Sequence, residues 1–248
     1  MLKNPNLEKS KNKLLNSIIK KNNGYKIIDL PNNLFSWLSD SILEIIYESL
    51  IKRNQKPKEK SIDSCLNILK KREDFVFSLD ERTIDPEIVE NNKSFILDQL
   101  SAIIPKPSFL WNNNLYYRLV RPNVLQEIST VHRDYYFQSI QKNWASSDKI
   151  LDLKLWIPLY LTNPYALGII PGSQDDVKFD DCKIIKTNGE QKFECSLSRE
   201  DLTPIKINVN QGLIFPSTMV HGSLPPKDLG ELRLSCELSL GYALSEII

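Results

Sequence analysis

The chain has 248 residues, 41% apolar and 25% charged, which is ordinary soluble usage and excludes a disordered or membrane-embedded protein. Its 32 basic and 31 acidic side chains leave a net charge of +1, so no whole-molecule field collects nucleic acid or an anionic membrane. The four cysteines, Cys65, Cys182, Cys195 and Cys236, stand far apart without a C-x-x-C pair, which argues against a zinc knuckle or redox dithiol and for buried free thiols. The opening MLKNPNLEKSKNKLL has no apolar core of signal-peptide length, and no run approaches the ~20 apolar residues that cross a bilayer. A cytoplasmic protein is expected.

Residues 1–104 read as mainly helical. LLNSIIKK, LFSWLSDSILEIIYESLIKR, SIDSCLNILKKR and PEIVENNKSFILDQLSAII carry apolar residues at three- and four-residue spacing, each predicting one helix. Pro31 with its Asn pair, and Asp85-Pro86, look like helix starts, and the charge around Lys56 to Lys60 marks an exposed connection. The early lysines, Lys3 to Lys21, suit a solvated helix face.

After Pro105 the texture changes. LYYRLVRP, DLKLWIPLYLT, ALGIIP, IKINVN, GLIFPS and LRLSCELSLGY are short and β-rich, separated by Asn, Pro, Gly and Asp. Strands in series without intervening helices predict an antiparallel barrel or double-sheet jelly roll. No linker separates the halves, so the expectation is an α+β fold in one domain spanning 1–248. Helical support occupies 1–104, and a cupin-like double-stranded β-helix core occupies 105–248.

Only two histidines occur. His132 stands in VHRDYYF with Asp134 two positions on, and residues i and i+2 of a strand project to the same side while Arg133 points away. The other, His221, follows 89 residues later in GLIFPSTMVHGS. Two imidazoles and a carboxylate on one metal face leave positions open for chemistry, as in non-haem Fe(II) oxygenases. Arg233 comes 12 residues further on in LRLSCEL, and a guanidinium grips a carboxylate through paired hydrogen bonds.

The order H-x-D, H, R in residues 110–242, with LKLWIPLYLTNPYALGIIPGSQ and VHGS before R-x-S, resembles the Fe(II)- and 2-oxoglutarate-dependent dioxygenases, more narrowly the phytanoyl-CoA dioxygenase-like group. That resemblance implies that His132, Asp134 and His221 bind Fe(II). It implies that Arg233 and Ser223 hold the distal carboxylate of 2-oxoglutarate, with Trp156 lining the cosubstrate pocket and Ser235 left open between a second donor and an inward small residue. With O2, the reaction would oxidise a small polar or anionic metabolite and release succinate. Asp134 stands where related halogenases lack a carboxylate, so hydroxylation is expected. Gln174 replaces a family histidine in the PGSH-type turn; Gln174, Tyr117, Arg118, Arg133 and the pair Tyr135 and Tyr136 are the candidate substrate contacts. No nucleic-acid partner and no membrane insertion are expected. A cupin-like metal-dependent isomerase or hydrolase, or a sugar-binding jelly roll, is the other reading, and Arg233 discriminates between them.

Overall fold

The structure is a computed structural model that describes residues 5–19, 23–134, 150–175, 183–187, 190–194, 196–226 and 231–244. Its helices are α1 (Pro5–Ile18), α2 (Asn32–Lys52), α3 (Ile62–Leu69), α4 (Pro86–Asn91) and α5 (Lys93–Ser101). In α2, Leu34, Leu38, Ile42, Ile46 and Leu50 recur every fourth residue and are buried, while Asp40, Glu44 and Glu48 face out. Ser61 starts α3 by accepting from the Ser64 N–H at 3.2 Å, and Asp85 starts α4 by accepting from the Glu87 N–H at 2.9 Å, with Pro86 in the first turn. The last helical stretch, expected as one helix, is two. Asn92 leaves helical geometry at φ −106, ψ 5, and its side-chain amide donates to the Ile88 carbonyl at 2.8 Å, closing α4 locally.

The strands are β1 (Lys26–Asp29), β2 (Phe109–Val120), β3 (Ile150–Leu161), β4 (Leu167–Ile169), β5 (Lys183–Thr187), β6 (Glu190–Glu194), β7 (Thr203–Ile205), β8 (Gln211–Pro216), β9 (His221–Ser223) and β10 (Arg233–Ala243). All pairing is antiparallel, in a five-stranded sheet ordered β1-β8-β3-β10-β2, a three-stranded sheet β7-β4-β9 and the pair β5-β6. This is the expected mixture of helices and antiparallel sheet, and among the described residues the sheets are open. Two differences from the sequence reading stand out. β1 lies within the half read as helical and pairs along β8. The stretch IKINVN is largely irregular, and the strand there is shifted to Thr203–Ile205, ahead of a turn with Asn210 at φ 69.

Alternation along the strands splits the large sheet into two unlike faces. Leu151, Leu153, Leu155 and Ile157 of β3 and Leu234, Cys236, Leu238 and Leu240 of β10 pack with α2, α3 and α5 in one core. The opposite face presents Trp156, Leu213 and Phe215, which pack with Leu167, Ile169 and Ile205 of the small sheet. Lys154, Arg233, Ser235 and Glu237 share that second face by register, and it is there that the polar side chains gather. Cys65 and Cys236 are buried free thiols, and burial pushes Cys65 up to about 11; Cys182 and Cys195 lie outside the described residues. Among the described residues no helix is long and apolar enough to cross a membrane.

Candidate metal centre

The site begins in the backbone. His132 and His221 exchange N–H···O=C hydrogen bonds, both 2.9 Å, in one isolated antiparallel bridge. The strand expected around VHRDY is reduced to that bridge, with Asp134 already in a helical turn. The side chains nevertheless converge. The two imidazole rings lie 4.4 Å apart, and the ligand atoms of His132, Asp134 and His221, all buried, are within 4.8 Å of one another. Phe215 packs on the His221 ring at 4.9 Å.

Both rings have their tautomer set by the main chain. His132 Nδ1 is 2.7 Å from the Thr130 carbonyl oxygen, and His221 Nδ1 is 3.0 Å from that of Met219. A carbonyl only accepts, so Nδ1 carries the hydrogen and Nε2 of the neutral ring carries a lone pair. Those Nε2 atoms face Asp134, at 3.6 Å from Oδ1 for His132 and 3.5 Å from Oδ2 for His221. Burial pushes His221 down to about 4, so it is neutral at pH 7. Burial also opposes the charge on Asp134, but Lys154, then His221 and His132, outweigh it and hold the carboxyl well below its usual range. Lone pairs aimed at one point repel until a cation enters between them, and a two-nitrogen, one-carboxylate set fits Fe(II) or another first-row divalent ion.

The same shift makes a prediction for the metal-free protein. Unfolded, His221 takes a proton near pH 6.5; folded, only near 4. The unfolded state therefore binds more protons in that window, and stability falls as the pH drops through it, by about 3 kcal/mol in total. Urea denaturation with chelator at pH 7 and pH 4.5 checks this; equal midpoints would count against a buried neutral ring.

Arg233, at 4% exposure, is the second feature. Its Nη2 donates to Ser223 Oγ at 2.7 Å, its Nη1 to the Ala166 carbonyl, and its guanidinium carbon lies 5.7 Å from the centroid of the Trp156 ring. Ser223 Oγ is also 2.8 Å from Ser129 Oγ. Among the described residues Arg233 has no acidic partner, and its buried Nε and the buried Ser235 hydroxyl have no hydrogen-bond partner at all. Burial, then neighbouring Arg118, lowers the Arg233 pKa to about 9. A buried cation with an unused donor fits a carboxylate ligand.

The remaining candidates fall elsewhere. Tyr117 does not join the site. In β2 it pairs with Cys236 of β10 and points into the helix-facing core, its ring 5.7 Å from Phe77; alternation gives the site side to its neighbour Arg118. Arg133, as expected, turns from the metal ligands, donating from Nη2 to the Ser173 carbonyl at 2.9 Å. Ser173 in turn accepts from the Val220 N–H at 2.9 Å, one residue before His221. Gln174 lies against the α1–β1 turn. Gly24 there has φ +72, a backbone conformation that favours glycine, and it lies against the ends of the Gln174 and Met219 side chains. Tyr135 and Tyr136 lie outside the described residues. Three residues that the sequence reading passed over, Lys154, Ser129 and Ser173, touch the site's side chains or backbone directly.

No family model matches the chain, and no curated protein matches it. Solved structures resemble it in outline. The non-heme monooxygenase ThoJ in apo form is 9% identical with a TM-score of 0.47, covering 93% of this chain and 77% of that one. EvdO2 from Micromonospora carbonacea var. aurantiaca complexed with 2-oxoglutarate is 11% identical with a TM-score of 0.45, covering 93% and 90%. The non-heme alpha ketoglutarate dependent carbocyclase SnoK from nogalamycin biosynthesis is 13% identical with a TM-score of 0.46, covering 93% and 83%. Likeness at this level assigns no family, and the chemistry has to be read from the side chains.

Proposed function

We propose that the chain is an Fe(II)- and 2-oxoglutarate-dependent oxygenase of the phytanoyl-CoA dioxygenase-like type, a single-domain enzyme on a jelly-roll core. It hydroxylates a small polar or anionic metabolite. The observation that carries this reading is the pairing of two features: three lone-pair donors within 4.8 Å, and a buried arginine with an unused donor on the same side of the sheet. His132, Asp134 and His221 would hold iron. Arg233, with Ser223, would take the distal carboxylate of 2-oxoglutarate. When bound, the iron and this cosubstrate supply the oxidation of a carbon–hydrogen bond by O2, coupled to release of CO2 and succinate.

The protein's own part is placement. The Thr130 and Met219 carbonyls fix both imidazoles in the tautomer that presents Nε2. Trp156 covers the Arg233 guanidinium and keeps water from it, which strengthens its hold on an anion. Asp134 fills the position that a halide needs, which favours hydroxylation. Arg133 turns to the Ser173 carbonyl and Gln174 lies against the Gly24 turn, so neither is assigned a substrate contact. A metal-dependent hydrolase or isomerase on this scaffold has no use for a buried arginine without an acidic partner.

Anaerobic addition of Fe(II) and 2-oxoglutarate should give a weak visible charge-transfer band, and aerobic incubation with substrate should release succinate. Well-folded protein showing neither overturns the reading. Arg233→Ala should weaken 2-oxoglutarate binding by roughly 30-fold or more, as expected for removing one partner of a buried charge pair, and leave Mn(II) binding in place. Unchanged affinity would move the case to the cupin-like alternative.

A further inference from the structure

Asp134 straddles the two imidazoles, Oδ1 toward His132 at 3.6 Å and Oδ2 toward His221 at 3.5 Å. Left to itself, a carboxylate so placed can give a metal both oxygens. A chelating carboxylate takes four positions of six when two imidazoles are counted, leaving too few for a bidentate cosubstrate and O2 together. Something has to occupy one oxygen.

In the structure Lys154 stands beside one of them as an ion-pair partner. It lies on the site face of β3, opposite Phe215 of β8 in register, and its Nζ is 3.8 Å from Asp134 Oδ2 with only 17% of the side chain exposed. Its position is itself supported. Burial opposes its charge, but Asp134, then Glu237 of β10, Asp152 two residues back on the same face of β3, and Tyr116 of β2 keep the ammonium charged. With 17% of its side chain exposed and Asp134 as its ion-pair partner, Lys154 is not a free surface charge swinging past a carboxylate.

Resting on the oxygenase reading above, we infer that Lys154 is a positioning residue that withholds Oδ2 of Asp134 from the metal, so that Asp134 ligates through one oxygen and a coordination position stays open for the cosubstrate. Lys154 touches neither metal nor substrate in this role. It acts through Asp134, by the charge it sets beside Oδ2.

The test compares Lys154→Met and Lys154→Gln with Lys154→Arg, each checked for folding by circular dichroism. Mn(II) binding is followed by electron paramagnetic resonance, and the Fe(II)–2-oxoglutarate band is followed anaerobically. The uncharged variants should bind Mn(II) at least as tightly as the wild type, because a cation has been removed and an oxygen freed. They should need about tenfold more 2-oxoglutarate to develop the band, and Lys154→Arg should restore wild-type behaviour. Uncharged variants with wild-type 2-oxoglutarate affinity overturn the inference, as do folded variants that take up no Mn(II), which would make Lys154 merely structural. A wild-type protein that itself shows no band fails the oxygenase reading, a result distinct from either.

Discussion

Replacing Arg121 by methionine should lower the unfolding free energy by about 3–5 kcal/mol, although Arg121 touches none of the metal ligands. Its side chain is 2% exposed and pairs with Glu127, 7% exposed, through Nη2 at 2.6 Å and Nε at 3.1 Å. It also donates to three main-chain carbonyls, those of Leu69, Arg72 and Phe75, at 2.9, 2.6 and 2.6 Å. These are the open end of α3 and the loop after it, so one guanidinium ties the helical half to the segment that leads from β2 to His132. Burial raises the Glu127 pKa and Arg121 works against that rise, so without the arginine a carboxyl is left buried with no cation. Urea denaturation measures the loss. A change below 1 kcal/mol would show that the clamp is incidental.

The second large effect is on the ion. His221→Ala and Asp134→Ala should each reduce Mn(II) affinity by at least about 100-fold, more than the loss typical of removing a residue that only supports a ligand. The fold should survive, because the hydrogen bonds that join residues 132 and 221 are made by main-chain atoms. Titration with Mn(II) of proteins matched for melting temperature checks this. A wild-type chain that binds the ion no better than its variants would end the metal reading.

How much of this was legible beforehand depends on the range of the signal. The period of α2 and the starts at Pro31 and Asp85-Pro86 are local, and so is the i, i+2 relation of His132 and Asp134, which survives even though the strand expected there is a single bridge. β1 escaped because four residues of KIID are too few to show a period, and their strand character comes from pairing with β8 across the chain. Tyr117 and Arg118 differ by one position and therefore by a whole face of the sheet, and only the register with Cys236 and Ser235 says which one turns inward. Lys154 was passed over for a related reason. A lysine in an apolar strand reads as a solvent position until a distant carboxylate is found beside it. The hydrogen bonds of Arg121 to Leu69, Arg72 and Phe75 span about fifty residues and leave no pattern in the sequence at all.

The place of β10 in the large sheet bears on how the chain is made. It is the last strand described, yet it lies between β3 and β2. On the ribosome, residues 109–120 and 150–161 emerge with their facing edges bare, and they stay so until residues 233–243 follow. Until that late arrival the nascent protein exposes two unpaired strand borders, the kind of surface on which aggregation starts.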